Sequence, residues 1–210
     1  METVRPVVLE GTHVRLEPLS LDHAAPLGAI AGRHREAYRL TFVPAEPLGM
    51  MRYIETALAH VRAGTALPFA TVDRARGEVV GSTRFFALEY WEWAPGHPMQ
   101  RPAGVPAAAE IGHTWLAPGA QRTAINTEAK LLMLAHAFEG WAVHRVTLKT
   151  DVRNARSRAA IERIGGRLDG ILRAAVPAAD GGIRDTAIFS MLASEWPAAR
   201  ARLTERLAQR

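Results

Sequence analysis

Between Glu89 and Ala108 the chain carries four prolines and two glycines, a density that forbids continuous helix or strand. Regular structure must form on either side of this break, and the hydrophobic periodicity there alternates between two types. Upstream, Thr12 to Leu19 alternates as a half-buried strand does, and Ser20 offers an N-cap to a short helix over 21–31. Pro47 opens a second helix, in which Met51, Ile54, Leu58 and Val61 recur at helical spacing before Gly64. Leu67 to Val72 and Val79 to Phe86 flank the turn residues Asp73 to Gly77, the pattern of an antiparallel hairpin.

Downstream, Ala109 to Leu116 reads as a strand that Pro118-Gly119 breaks before a helix from about Thr123 to Glu139. Leu131, Leu134, Ala135 and Phe138 form one apolar stripe on that helix, which by itself means core packing. A strand over 145–150 and a short helix over 155–164 follow, the latter stopped by Gly165-Gly166. Arg167 to Val176 and Ile183 to Leu192 make a hairpin around Asp180-Gly181-Gly182. Ser194 is expected to cap a last helix from Trp196 to about Gln209. Without internal repeat or linker, these elements predict one α+β domain over residues 1–210, with a core at about 8–192 and a terminal helix at about 194–209.

Composition narrows the chemistry. The chain has no cysteine, which removes thiol nucleophiles, thiolate zinc sites and CxxC redox couples, leaving Ser, His, Asp, Glu and backbone groups. Its eight histidines show no HExxH or other metal spacing, so no metal is expected. Lys+Arg is 26 against 21 Asp+Glu, and the only lysines are Lys130 and Lys149. The arginines are dispersed rather than gathered in runs, which argues against a nucleic-acid partner and leaves a small polyphosphate available. No apolar stretch approaches the ~18 residues of a membrane span and no secretory leader is evident, which reads as cytoplasmic. Within the break, Tyr90, Trp91 and Trp93 suit a substrate-binding wall; anchors holding the loop to the core, or a contact between two copies, are the plainer alternatives.

Glu110-Ile111-Gly112-His113-Thr114-Trp115-Leu116-Ala117-Pro118, then Gln121-Arg122-Thr123-Ala124-Ile125-Asn126-Thr127-Glu128-Ala129, then Asn154-Ala155-Arg156-Ser157 before Gly165, form an ordered set. It resembles the GNAT superfamily of acyl-CoA-dependent N-acyltransferases, and most of all its ribosomal-protein alanine acetyltransferase branch. Arg184 to Ser190 and Glu195-Trp196-Pro197 resemble that branch's last strand and terminal segment, so the likeness spans nearly the whole chain. It implies a GNAT fold: a central, mixed, mostly antiparallel, splayed sheet of about six to seven strands flanked by helices. It further implies acetyl-CoA as acyl donor, a small-molecule or peptide amine as acceptor, and a homodimer.

The residues can be matched to what acetyl transfer requires. A helix starting near Thr123 points unsatisfied N–H groups of residues about 122–126 at an anion, with Arg122 adding charge; a plain helix cap is the simpler reading of Gln121, Arg122, Thr123, Ala124, Ile125 and Asn126. The family's loop favours glycine-like residues where Ala124 and Asn126 stand here, a mild change if Ala124 already lies in the first turn. The resemblance places an irregular point on the Glu110–Leu116 strand, where pantetheine would pair with the backbone near Trp115 and Leu116 and a main-chain N–H near His113 or Thr114 would face the acyl oxygen. Glu110 is the first candidate for the base that deprotonates the amine, acting through water, with a structural or surface carboxylate as the plainer reading, and His113 is the second candidate. Much of the superfamily has a tyrosine seven positions after the helix-opening asparagine, where this chain has Ile161. Ser157 matches the serine of the ribosomal alanine branch and is assigned as donor to the leaving thiolate, with Asn154 on the pantetheine arm; both are also ordinary residues for a helix start. Arg153, Arg156 and Arg158 sit around that helix start within reach of the 3′-phosphate, a solvated helix face being the plainer reading for at least two of them. A non-catalytic acyl-CoA-binding protein of this fold and a succinyl-CoA-using transferase are the competing readings.

Overall fold

The computed structural model describes residue 1 and residues 3–209. Eight strands form one sheet: β1 (Leu9–Glu10), β2 (Val14–Pro18), β3 (Leu67–Asp73), β4 (Glu78–Glu89), β5 (Ala108–Leu116), β6 (Arg145–Asp151), β7 (Arg167–Pro177) and β8 (Ile183–Leu192). Their order is β1-β2-β3-β4-β5-β6-β8-β7, antiparallel throughout except for β5 with β6. The five helices are α1 (Ala24–Gly32), α2 (Pro47–Arg62), α3 (Ala124–Ala135), α4 (Ala155–Ile164) and α5 (Trp196–Ala208).

The sheet exceeds the expected six to seven strands by the two-residue β1, too short to leave a periodic signature. Three local expectations also change. The buried stripe of α2 is Met50, Ile54 and Ala57, whereas Met51 is exposed, so the helix is turned by about one residue from the predicted stripe. The third helix ends as α-helix at Ala135, and a π-helical turn over His136–Gly140 completes it. The last helix has Glu195 rather than Ser194 at its N-cap, and the Glu195 carboxylate accepts from Leu192 N–H at 2.9 Å.

Helices cover both faces of the sheet. On one face Phe69, Phe85, Ile111, Val146 and Phe189 pack with Met133 and Leu134 of α3, Trp141, and Leu203 of α5. On the other, Ala70 and Trp115 pack under Leu27 of α1 and Met50, Ile54 and Ala57 of α2. α4 stops at Gly165, whose φ of 105° is the left-handed conformation that favours glycine. At the far edge β7 carries the exposed Leu168, Ile171, Leu172 and Val176, and its pairing with β8 shifts register between Leu172 and Val176. There Ala174 has φ 49° and donates its N–H to Asp185 Oδ1 at 2.8 Å.

One polar contact ties α3 to the first strands. Glu128, buried on α3, accepts from the backbone N–H groups of Thr12, His13 and Val14 at 2.8, 2.6 and 2.8 Å. The β1–β2 turn can close over this carboxylate because residue 11 is glycine: a Cβ there would stand 2.4 Å from Glu128 Cδ. Glu128→Gln keeps the shape but replaces an anionic acceptor with an amide that turns a donor toward donors. The expected cost is about 2–3 kcal/mol, read as a lower urea midpoint with an unchanged slope.

Candidate active site

β5 pairs with β6 at only three positions, the last being Glu110 with Thr147, although the strands continue to Leu116 and Asp151. Beyond that point β6 stays bonded to β8 as far as Asp151, and β5 to β4 as far as Leu116. The sheet therefore opens between β5 and β6. From 111 to 116 the backbone of β5 has no strand partner on that side, and those of its polar groups that no side chain takes call for another ligand.

The same stretch contains a bulge. Ser82 opposes Trp115 and Arg84 opposes Gly112, so β5 spends one more residue than β4 over this interval. His113 absorbs the excess with φ 49°, a conformation uncommon outside glycine. The bulge also reverses the alternation: Ile111 and Leu116 join the core beneath α3, while Trp115 joins the cluster under α1 and α2. A second bulge lies on β4, between Phe86 and Glu89, where Ala87 has φ 45°.

Glu110 stands at the last paired position before the opening, its side chain 8% exposed and its Oε2 2.7 Å from Lys149 Nζ. Burial pushes the carboxyl above its usual range, while the Lys149 hydrogen bond and charge, and the Arg184 charge, pull it back. His113 keeps a solvent-exposed edge and packs edge-on against Phe86, ring centroids 4.9 Å apart. Loss of water around the rest of the ring, with the positive charge of Arg84 and His60 beside it, pushes the imidazole down to about 4. It is neutral at pH 7 and a weak base.

Behind the bulge lies a buried lysine. Lys130 of α3 donates from Nζ to Thr114 Oγ1 at 2.7 Å and to Thr83 Oγ1 at 2.9 Å, and these two hydroxyls are themselves 2.7 Å apart. All these partners are neutral, and burial pushes the ammonium down to about 7. Sequence reasoning passed over Lys130 and Lys149, yet a signal was there. In an arginine-rich chain the only two lysines both reach this strand, Lys149 at Glu110 and Lys130 at Thr114.

At the far end of the opening, α3 begins at Ala124 with Thr123 as N-cap, its Oγ1 accepting from Ile125 N–H at 3.3 Å. Within this loop the one positive φ, 63°, falls on Arg122, so Ala124 and Asn126 occupy ordinary helical positions that need no glycine. Gln121 donates to the Leu116 carbonyl at 2.9 Å and accepts from Arg156 at 2.8 Å. Arg156 also donates to the Ala37 carbonyl at 3.1 Å, and Tyr38 Oη to the Leu116 carbonyl at 3.2 Å. Arg156 is thus engaged in holding the loop. Arg153 is similarly engaged, bridging Asp151 and Asp180 at 2.7 and 2.8 Å.

Asn154 caps α4, its Oδ1 accepting from Ser157 N–H at 3.0 Å, and the Ser157 hydroxyl takes no part in that cap. Ile161 is buried in the core. The aromatic residues of the 90–107 loop are held by their own neighbours. Tyr90 Oη donates to the Gly64 carbonyl at 3.1 Å, Trp91 stacks on His144 and bonds Glu89, and Trp93 stacks on His97. Tyr90 and Trp91 thus anchor the loop to residues outside it, and Trp93 packs within it. Among the described residues, no group of three or more His, Asp or Glu side chains could hold a metal ion, and no helix is long and apolar enough to cross a membrane.

A parallel strand pair that parts at a bulge, followed by a loop and a helix N-terminus, defines the architecture, and comparison with known proteins decides the family. The acetyltransferase (GNAT) domain model matches residues 13–167. The chain belongs to the GNAT family. A GCN5-related N-acetyltransferase from Brucella melitensis shares 29% identity with this GNAT chain at a TM-score of 0.80, over 98% of this chain and 87% of the other. A crystal structure assigned as an acetyltransferase from T. thermophilus shares 32% at 0.77, over 97% and 98%. Mycobacterium smegmatis RimJ, solved in complex with CoA-disulfide, shares 26% at 0.74, over 98% and 94%. Among curated proteins no sequence matches. Membership makes the protein an acyl-CoA-dependent N-acetyltransferase.

The buried lysine generates a pH-dependent prediction. Its value is depressed in the folded state, so the unfolded chain binds the extra proton between about 7 and 10.5, and folding must give that proton up or bury the charge. Lys130→Met should therefore melt several degrees above the wild type at pH 6, where the native protein holds a buried cation. The gain should shrink steadily towards pH 10, as followed by calorimetry across that range.

Proposed function

We propose that the protein transfers the acetyl group of acetyl-CoA to a primary amine by direct attack in a ternary complex. The observation that carries this reading is the opening between β5 and β6, which runs from the buried Glu110 to the N-terminus of α3. Its chemistry fits the donor: an unpartnered strand edge for the amides of pantetheine, and first-turn N–H groups of α3 for a diphosphate.

In this reading Ala124, Ile125 and Asn126 offer those N–H groups, with Arg122 and Thr123 beside them. Arg156 acts through Gln121, holding the loop against Leu116. Trp115 and Leu116 contribute backbone to the arm, and Asn154 borders it from α4. When bound, the thioester supplies an activated acyl carbonyl. The bulge at His113 turns a main-chain N–H of β5 out of the ladder, a preorganised donor for the acyl oxygen as negative charge grows on it. Thr114, gripped by Lys130, keeps that bulge in one conformation.

The amine must lose a proton to attack. Glu110, raised by burial and pulled back by its Lys149 contact, takes it through water at the last paired residue of β5. His113, pushed down to about 4, is a proton-passing neighbour rather than the base. Ser157 gives the departing thiolate a hydrogen bond without ionising. The acceptor enters between α1, α2 and the 90–107 loop, whose Tyr90, Trp91 and Trp93 form an aromatic rim suited to a cationic or apolar amine. The exposed edges of Trp91 and Trp93 also suit contact between two copies.

A thermal-shift titration with CoA and acetyl-CoA, followed by thiol release across an amine panel, tests the reading. Saturable stabilisation with amine-dependent release is expected; neither effect would dismiss it. Glu110→Gln should lower kcat on the order of 10²-fold while leaving the Kd for CoA unchanged. Ser157→Ala should cost less, because a thiol of pKa about 8.5 departs without much help.

A further inference from the structure

Arg84 is a buried cation without an anion. It lies on β4 opposite Gly112, one residue before the His113 bulge, and is 4% exposed. Its Nε and Nη2 are sealed from solvent and have no hydrogen-bond partner, and among the described residues no carboxylate pairs with it. The Tyr53 ring of α2 lies over the guanidinium at 4.7 Å, and the Tyr53 hydroxyl is likewise buried and unpartnered. A desolvated cation–π contact returns about 2 kcal/mol, whereas burying an unpaired charge costs several. Two donors on one face of the sheet are thus held dry, close enough to the bulge for the Arg84 charge to act on His113. Burial on this scale is stable when an anion completes it.

We propose that Arg84 and the Tyr53 hydroxyl form a carboxylate-binding subsite at the acyl-transfer end of the crevice, so that one of the two reactants carries a carboxylate. The inference rests on the acyltransferase reading and narrows its substrate class. Two sources put a carboxylate within reach of a group reacting at the bulge. An amino acid or acidic peptide carries one a few bonds from its amine, and a dicarboxylic acyl group such as succinyl carries one a few bonds from its thioester carbon. The guanidinium supplies a planar pair of N–H donors and Tyr53 a third, the arrangement that a carboxylate accepts. Tyr53 turns about its side-chain bonds to admit it, since the ring now covers the guanidinium.

The test uses matched probes that differ by one carboxylate. Propionyl-CoA and succinyl-CoA are compared by calorimetric Kd. L-alanine against ethylamine, and Ala-Glu amide against Ala-Gln amide, are compared by kcat/KM with acetyl-CoA. One arm should favour the carboxylate by ten- to a hundred-fold, the range of a hydrogen bond to a charged group. A succinyl-CoA preference assigns the carboxylate to the donor, and a preference in either amine pair assigns it to the acceptor. Arg84→Met should abolish the preference while the Kd for CoA, which carries no carboxylate, is unchanged and the melting temperature does not fall. Tyr53→Phe, which keeps the ring, should reduce it several-fold. Wild-type protein that binds CoA and acetylates amines with no preference in any arm, or a preference that survives Arg84→Met, overturns the subsite alone. Failure of the wild type to bind CoA brings down the acyltransferase reading and the subsite with it.

Discussion

Three residue pairs join β5 to β6, and the rest of the molecule is arranged around where that pairing stops. A parallel pair continuing to Leu116 would close the sheet and leave α3 as a helix packed on a finished surface. Because it stops at Glu110, one strand edge, one helix N-terminus and the start of α4 face the same gap. The divergence is held from both sides. β8 keeps β6 in its own register as far as Asp151, and β4 keeps β5 to Leu116, so each half of the sheet is rigid while the seam is not bonded. The packed clusters on the two faces serve the same end, since the bulge at His113 is what sends Trp115 to one and Leu116 to the other.

Charge is distributed around this strand in an unusual way for a small α+β protein. Glu110 has Lys149, Lys130 has two threonine hydroxyls, and Arg84 has, among the described residues, an aromatic face and no carboxylate. Buried charges are expensive in fold stability and are kept where they orient or bind something. Lys130 answers the first purpose: its ammonium ties α3 to both strands of the bulged ladder, so the irregular backbone has a single geometry. Arg84, with no such network, answers the second.

Much of this fold was legible in the sequence because its strands obey alternation and its helices end at glycine or begin at proline. The β3–β4 and β7–β8 hairpins, α4 with its Gly165 stop and the α3 start at Ala124 all follow local rules. What escaped the reading depends on contacts distant in the chain. Glu128 meets residues 12–14 across more than a hundred positions, and nothing near it announces that role. Met50 rather than Met51 faces inward because the sheet, not the helix, fixes the rotation of α2. At the site, the ordered motifs marked the right segments, but the partners of Glu110, Gln121 and Thr114 come from other elements: Lys149, Arg156 and Lys130. The departures from glycine at Ala124 and Asn126 proved to fall on helical residues, because the left-handed position of the loop comes before the helix, at Arg122.

The two margins of the sheet differ in how they end. β1 is only two residues long, and β7 is long but broken by the register shift around Ala174, whose N–H is already taken by Asp185. A straight ladder of free donors and acceptors is what lets strands from separate molecules add to one another, and neither margin presents one. The apolar side chains along β7 would otherwise make it a seed for stacking. With its kink in place, β7 offers an incoming strand no continuous row of backbone donors and acceptors.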